Sequence, residues 1–258
     1  IQYLAYFHNA CDQIRGEAAS LQFFSNDQYR NPILMRIASL GYQKGFGGHF
    51  HNDNSIAALR DIPGLVVGCA SRGDDAATML RTMAALCKVD GRVCAFLEPI
   101  ALYMTKDLYE AGDGAWQFGY PPPGEAMPLG EGRVYNEGAN DLVIFTFGNG
   151  VPMALRAARE IEKKRKWQVR VVDLRWLVPL NEKFIAAQAK SARRIIVLDE
   201  GRRSAGVGEG IITAIVEAGF GQAPLKRVVG ADTYTPLAGA ALLVLPGEND
   251  IIAAAETL

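Results

Sequence analysis

The sequence predicts an α/β protein made of two doubly wound, mainly parallel sheets. Three observations point there. Short, continuously apolar runs alternate with amphipathic stretches along most of the 258 residues, and a run that is apolar throughout suits a strand covered on both faces. The alternation breaks once, over residues 112–140, where GDG, YPPPGEAMP and LGEG follow one another. Consecutive prolines continue neither a helix nor a central strand. The composition, 49% hydrophobic and 21% charged, is that of a globular chain of about two domains, each able to bury a core. The expected division is residues 1–111, a connection over 112–140, and residues 141–258.

In chain order, IQYLAYF reads as a strand, and because it opens without Met the chain is expected to be an N-terminally truncated piece of a longer one. Residues 9–24 place Ala10, Ile14, Ala18 and Leu21 on one helical face. PILMRIA is a strand, followed by a glycine-rich loop from Gly41 to Asp53. PGLVVGCAS is the next strand. The helix after it carries Asp74 and Asp75 in its first turn, as the helix dipole favours. RVCAFLEP closes the first part as a buried strand. The second part alternates strand DLVIFTFG, a helix with Pro152 near its start, strand QVRVVDL, a helix capped by Asn181, and strand RRIIVLDE. Helix GVGEGIITAIVEAG, strand KRVVGA and helix ENDIIAAAETL complete it.

The bulk numbers exclude some partners. A net charge of −1 offers no field for nucleic acid or an anionic membrane. The basic cluster EKKRK, at 162–166, reads as a solvated helix C-terminus. No apolar run approaches the ~18 residues that would span a bilayer. Cys11, Cys69, Cys87 and Cys94 form no CxxC, and Cys69 and Cys94 lie in apolar strands. Reduced core thiols point to a reducing compartment, cytoplasmic or, in a eukaryote, the mitochondrial matrix.

GGHFHND, residues 47–53, holds two of the three histidines. It is either a loop that brings a proton-transfer group to a reacting centre or a solvated loop with two incidental polar residues. A metal site is disfavoured: Asp53 could join His49 and His51, but no fourth ligand is near. If the stretch is extended, His49 and His51 share one side and Phe50 takes the other. GVGEG, at 206–210, has some of the spacing of a dinucleotide fingerprint, against close helix–sheet packing as the plainer explanation. GDG at 112–114, with Asn140 downstream, has the spacing of a diphosphate and metal signature. It lacks the strand–helix–strand setting, because Trp116 and three prolines follow, and it is rejected. No nucleophile-elbow GxSxG occurs.

IQYLAYFHNACDQI, GGHFHND, IPGLVVGCAS, FLEPIALY, LGEGRVY and DEGRRSAGVGEGI follow in series. In this order the chain resembles the beta-type half of the thiamine-diphosphate-dependent decarboxylating component of 2-oxo-acid dehydrogenases, a transketolase-like family. The resemblance covers nearly the whole chain. It implies a pyrimidine-binding domain followed by a transketolase C-terminal-like domain. It implies decarboxylation of a pyruvate-type or branched-chain 2-oxo acid and transfer of the acyl unit to a lipoyl group. His51 takes the family's catalytic histidine position. Tyr6 and Asn9 are the implied cofactor-binding residues, Tyr6 as the wall of the aminopyrimidine ring. His49 and Phe50 fall on the substrate rim. Glu200, Gly201, Gly206, Gly208, Gly210 and Ile211 match the family's C-terminal pattern.

The implied cofactor is thiamine diphosphate with Mg2+, whose diphosphate and metal belong to the alpha-type half. That half, in the same polypeptide or a separate subunit, is one implied partner; a lipoyl-bearing acyltransferase is another, and a homo-oligomer is expected. The chain departs from the family at Asn52-Asp53, which replace Ser-Gln, at Ile100-Ala101, and in the longer stretch LCKVDGRVC where some relatives bind K+. Potassium is therefore left unassigned. The family's ylide-promoting glutamate has no counterpart in these residues, so the chain alone is expected to be inactive. The rival readings are another transketolase-like enzyme, such as a transketolase or a deoxyxylulose-phosphate synthase, and a non-catalytic scaffold that pairs with a partner.

Overall fold

The computed structural model describes residues 1–43 and 45–258. It contains two sheets. The first is built on three parallel strands, β1 (Ile33–Ser39), β2 (Val66–Cys69) and β3 (Val93–Pro99), in the order β1-β3-β2. Ile33 pairs with Val93 and Val66 with Cys94, so all three strands end at one edge. The second sheet has the order β4-β6-β5-β8-β9, formed by Arg133–Tyr135, Val169–Asp173, Leu142–Thr146, Ile195–Arg202 and Leu225–Gly230. Only β4 is antiparallel there. The central strands are buried along their whole length, which is why they read as mainly apolar runs, β6 broken only by the buried Arg170 and Asp173.

Three features differ from the sequence expectation. The opening residues are not a strand. Leu4–Tyr6 form a 3-10 turn that runs into α1 (Phe7–Gln13), followed by a π-turn over Ile14–Ala18 and α2 (Leu21–Phe24). The buried residues Leu4, Phe7, Ile14 and Ala18 are spaced one, two and one helical turns apart, which is a helical stripe. Next, the two halves exchange structure. Trp176–Val178, β7, leaves the second half and pairs antiparallel with β2 at the edge of the first sheet. Finally, one apolar cluster runs through both sheets, with Leu40, Cys69 and Leu97 packed together with Val143, Phe145, Phe147 and Leu174. The halves share this cluster, and each also has a further one of its own, around Met79, Met83 and Phe96 in the first and around Ile144, Ile161 and Ile196 in the second.

The connection is an ordered strap. Trp116 and Met127 are buried, the Trp116 indole donates to the Ser71 carbonyl, and the Arg81 guanidinium donates to the carbonyls of Pro121, Pro122 and Glu125. Its last residues form β4. The helices are α3 (Ile56–Arg60), α4 (Gly73–Asp90), α5 (Gly150–Arg165), α6 (Glu182–Ala189), α7 (Val207–Glu217) and α8 (Glu248–Glu256). Asn181 caps α6 by accepting from the Phe184 amide at 3.0 Å. Residues 238–256 are apolar enough on average to span a bilayer, but a 3-10 turn over Ala238–Leu243 and the separate α8 divide them.

Candidate active site

The GGHFHND loop leaves the end of β1 and closes on itself as a turn. The His51 and Asn52 amides both donate to the Gly48 carbonyl, at 3.1 and 2.9 Å. The stretch is therefore not extended, and the two histidines separate. The half-buried His51 ring stands edge-on to Tyr3, with centroids 4.8 Å apart and planes at 88°. The exposed His49 ring lies against Phe50, at 4.1 Å, and Tyr234, at 5.2 Å. Tyr6 packs on the other side of Tyr3, 6.0 Å from its centroid. The molecule thus brings His51, Tyr3 and Tyr6 into one aromatic row. Asn9 is exposed on α1, outside that row.

Gly47 makes room for the histidine and Gly48 for Leu237. A Cβ on Gly47 would fall 2.5 Å from His51 Nδ1, and one on Gly48, at φ +80°, would fall 2.9 Å from Leu237 Cδ2. Gly47 also bridges to Leu237 from the segment after β9. The fully buried Asn52 closes the turn, its Oδ1 accepting from the Gly47 amide at 2.8 Å and its Nδ2 donating to the Gly41 carbonyl at 2.7 Å. Gln43 donates to the His51 carbonyl at 2.8 Å. Asp53 faces Arg202 of β8 at 3.5 Å, and Arg202 donates to Ser55 Oγ at 3.0 Å. The Asn52-Asp53 pair thus has structural work: one side chain folds the loop and the other ties it to the second sheet.

Sequence reasoning singled out His51, His49, Phe50, Tyr6 and Asn9; it placed Glu200 only in the C-terminal pattern, away from the loop, and it missed Tyr3 and Tyr234. Glu200 lies under the loop and burial pushes its carboxyl up to about 7. The clue for Tyr3 was its place in the aromatic-rich opening; nothing local marks Tyr234.

The glycine-rich decoys resolve as packing. At GVGEG, the Asp199 carboxylate accepts from the amides of Gly201 and Gly208, both at 2.8 Å, and a Cβ on Gly206 would fall 2.6 Å from it. The start of α7 is filled by the chain's own anion, as close helix–sheet packing requires. In the GDG loop, Asp113 accepts from the backbone amides of Leu108, Tyr109, Glu110 and Ala115, which hold its carboxyl well below the usual carboxylate range. Asp107 accepts from Gly112 and Gly114. Both carboxylates are used in folding the loop. Among the described residues, no three His, Cys, Asp or Glu side chains gather to hold a metal.

Residues 130–249 match the transketolase C-terminal domain family. The whole chain is 31% identical to the pyruvate dehydrogenase E1 component subunit beta of Staphylococcus aureus, of which it covers 75%. It is also 31% identical, over 98% of its length, to the 3-methyl-2-oxobutanoate dehydrogenase subunit beta of Mycobacterium tuberculosis, of which it covers 68%. The chain belongs to the beta-subunit family of 2-oxo-acid dehydrogenase E1 components. A split gene transketolase, solved as an inactive beta4 tetramer, superimposes with a TM-score of 0.70 over 99% of this chain and 73% of its own, at 18% identity. That likeness shows the transketolase-like fold. Within this E1 beta family the aligned region runs the length of the chain.

Proposed function

We propose that this chain is the beta-type subunit of a 2-oxo-acid decarboxylating component that uses thiamine diphosphate and passes its acyl group to a lipoyl-bearing acyltransferase. The observation that carries the reading is the aromatic row Tyr6, Tyr3 and His51, set beside the end of a parallel strand. Open α/β sheets place ligands at such strand ends.

The residues present fit the ring end of the cofactor. Tyr6 is half-buried, and its flat, polarisable face suits a heteroaromatic ring. Magnesium and diphosphate fall to the alpha-type subunit. Thiamine diphosphate, when bound, supplies the electron sink for decarboxylation. The chain's own contribution is orientation and charge. His51, its ring held by Tyr3 and the Gly47-Gly48 turn, would hold or move a proton at a ring nitrogen, or stabilise charge that develops during the reaction. His49 and Phe50, exposed on the outer side of the turn, form the rim where substrate passes.

The test is reconstitution. The chain is combined with its alpha-type subunit, thiamine diphosphate and Mg2+, and supplied with pyruvate or a branched 2-oxo acid and an artificial electron acceptor. Decarboxylation of one of the two, with reductive acylation of a lipoyl domain, is expected. Turnover of neither, in an assembled and cofactor-loaded protein, contradicts the reading.

A further inference from the structure

We propose that Glu200 is the positioning residue of the His51 loop, one residue of the second sheet that clamps both ends of the segment carrying the histidine. At the leading end, Glu200 Oε1 accepts from the Tyr42 amide at 2.7 Å. At the trailing end, the Glu200 carbonyl accepts from Asn54 Nδ2 at 2.7 Å. Its second carboxyl oxygen accepts from Asn149 Nδ2, just before α5, at 2.8 Å. Twelve residues lie between Asn54 and Gly41, and the latter is pressed against the same group. A Cβ on Gly41 would fall 3.2 Å from Glu200 Oε1, 3.0 Å from Asn54 Nδ2 and 2.8 Å from Leu245 Cδ2.

The path from this clamp to the histidine is short. Gly41 offers its carbonyl to Asn52, and Asn52 holds the Gly47 amide, on which the His51 ring rests. The polar inventory shows that the network is built around Glu200. Asn149 gives an N–H to its carboxyl and Asn54 one to its main-chain carbonyl, and each leaves its own Oδ1 buried without a partner. A buried orphan oxygen is costly, so both amides are held in this orientation by what they donate to. Generic packing would be met more cheaply by an apolar side chain. The partners of the carboxyl are neutral N–H groups, so its requirement is an acceptor oxygen in a fixed place, not an ion pair.

The assignment rests on the proposed role of His51, so the experiment reads the loop itself as well as activity. Hydrogen–deuterium exchange is followed in the intact protein for Glu200→Ala, Glu200→Gln and Asn54→Ala. In Glu200→Ala, the amides of Tyr42, Gly47, His51 and Asn52 should exchange at least about tenfold faster, while Ile195–Leu198 stay within about threefold of the parent. Asn54→Ala, which frees the trailing end without touching the sheet, should loosen the same residues. Glu200→Gln should recover most of the protection, because its carbonyl still accepts from Tyr42 and Asn149 can turn its unpartnered Oδ1 toward the new N–H. Unchanged loop exchange in either alanine variant overturns the proposal. So does equal acceleration across Ile195–Leu198, or failure of Gln to recover protection. Turnover in the reconstituted enzyme should follow loop exchange across the three variants. A parent protein with no decarboxylation would refute the functional reading and leave the exchange result to judge the clamp.

Discussion

Glu200 and Asp173 are both buried, and burial pushes their carboxyls up to about 7 and about 6 from ordinary values of 4.5 and 3.8. The hydrogen bonds to Asp173 from Ser71 and the Arg175 amide only partly offset that burial. A folded-state pKa above the unfolded value means that the native state holds its proton more tightly. The stabilisation is fully present below the unfolded pKa and is lost as pH rises through the folded one. For Glu200 that window runs from 4.5 to about 7, and the difference corresponds to on the order of 3 kcal/mol. Glu200→Gln removes this share. Chemical denaturation at pH 5 and pH 8 should therefore show a smaller loss of stability with rising pH in Glu200→Gln than in the parent; identical slopes would count against a buried, proton-holding Glu200. At this scale the sequence was informative about His51, because glycines and histidines cluster within seven residues. It set Glu200 in the C-terminal pattern but not beside the loop, because its contact with Tyr42 spans 158 positions. Nothing in periodicity marks such a contact.

At the scale of one element, the loop after β1 does what its glycines allow. An extended stretch would have put both histidines on one side. The turn at Gly48 sends His51 inward to Tyr3 and leaves His49 outside with Tyr234. Asn52 stores most of that turn, since removing it leaves the Gly47 amide and the Gly41 carbonyl without their partners. Asn52→Ala should cost about 2 kcal/mol or more of stability. It should also lower turnover by roughly tenfold through a displaced His51. Thermal unfolding alongside steady-state rates checks this, and an unaffected rate would show that the turn does not set the histidine. Most elements were legible, because buried parallel strands and capped helices carry strong local signals. Four were not. The opening turn and helix start were read as a strand because Tyr3, Tyr6 and Phe7 crowd the first seven residues, and α3, β4 and β7 are too short to announce themselves.

At the scale of the whole molecule, the shared apolar cluster and the pairing of β7 with β2 tie the two halves together. Some large apolar side chains stay on the surface. Phe23 and Phe24 are 81% and 82% exposed, and Leu243 is 86% exposed. Exposed apolar patches of this kind mark association surfaces. The chain should therefore associate with itself or with its alpha-type partner, and light scattering of the purified chain should give a mass above 28.0 kDa. A clean monomer across a wide concentration range would contradict that. The chain alone should also bind thiamine diphosphate weakly. It presents the ring wall at Tyr6, while among the described residues no acidic group gathers for the metal. Calorimetry showing sub-micromolar affinity, roughly −8 kcal/mol, would contradict this.

The assembled enzyme offers the most direct test of the central claim, that the two histidines of one loop have different work. Steady-state decarboxylation is measured for His51→Ala and His49→Ala in the reconstituted protein, with lipoyl acylation as the second readout. His51→Ala should lose about 10²-fold or more in turnover, the scale of a lost proton-transfer or charge-stabilising group. His49→Ala, stacked outside on Phe50 and Tyr234, should lose less than about tenfold, as a rim residue distant from the chemistry does. Near-normal activity in both variants, or a dead His49 variant beside a working His51 variant, would contradict the account.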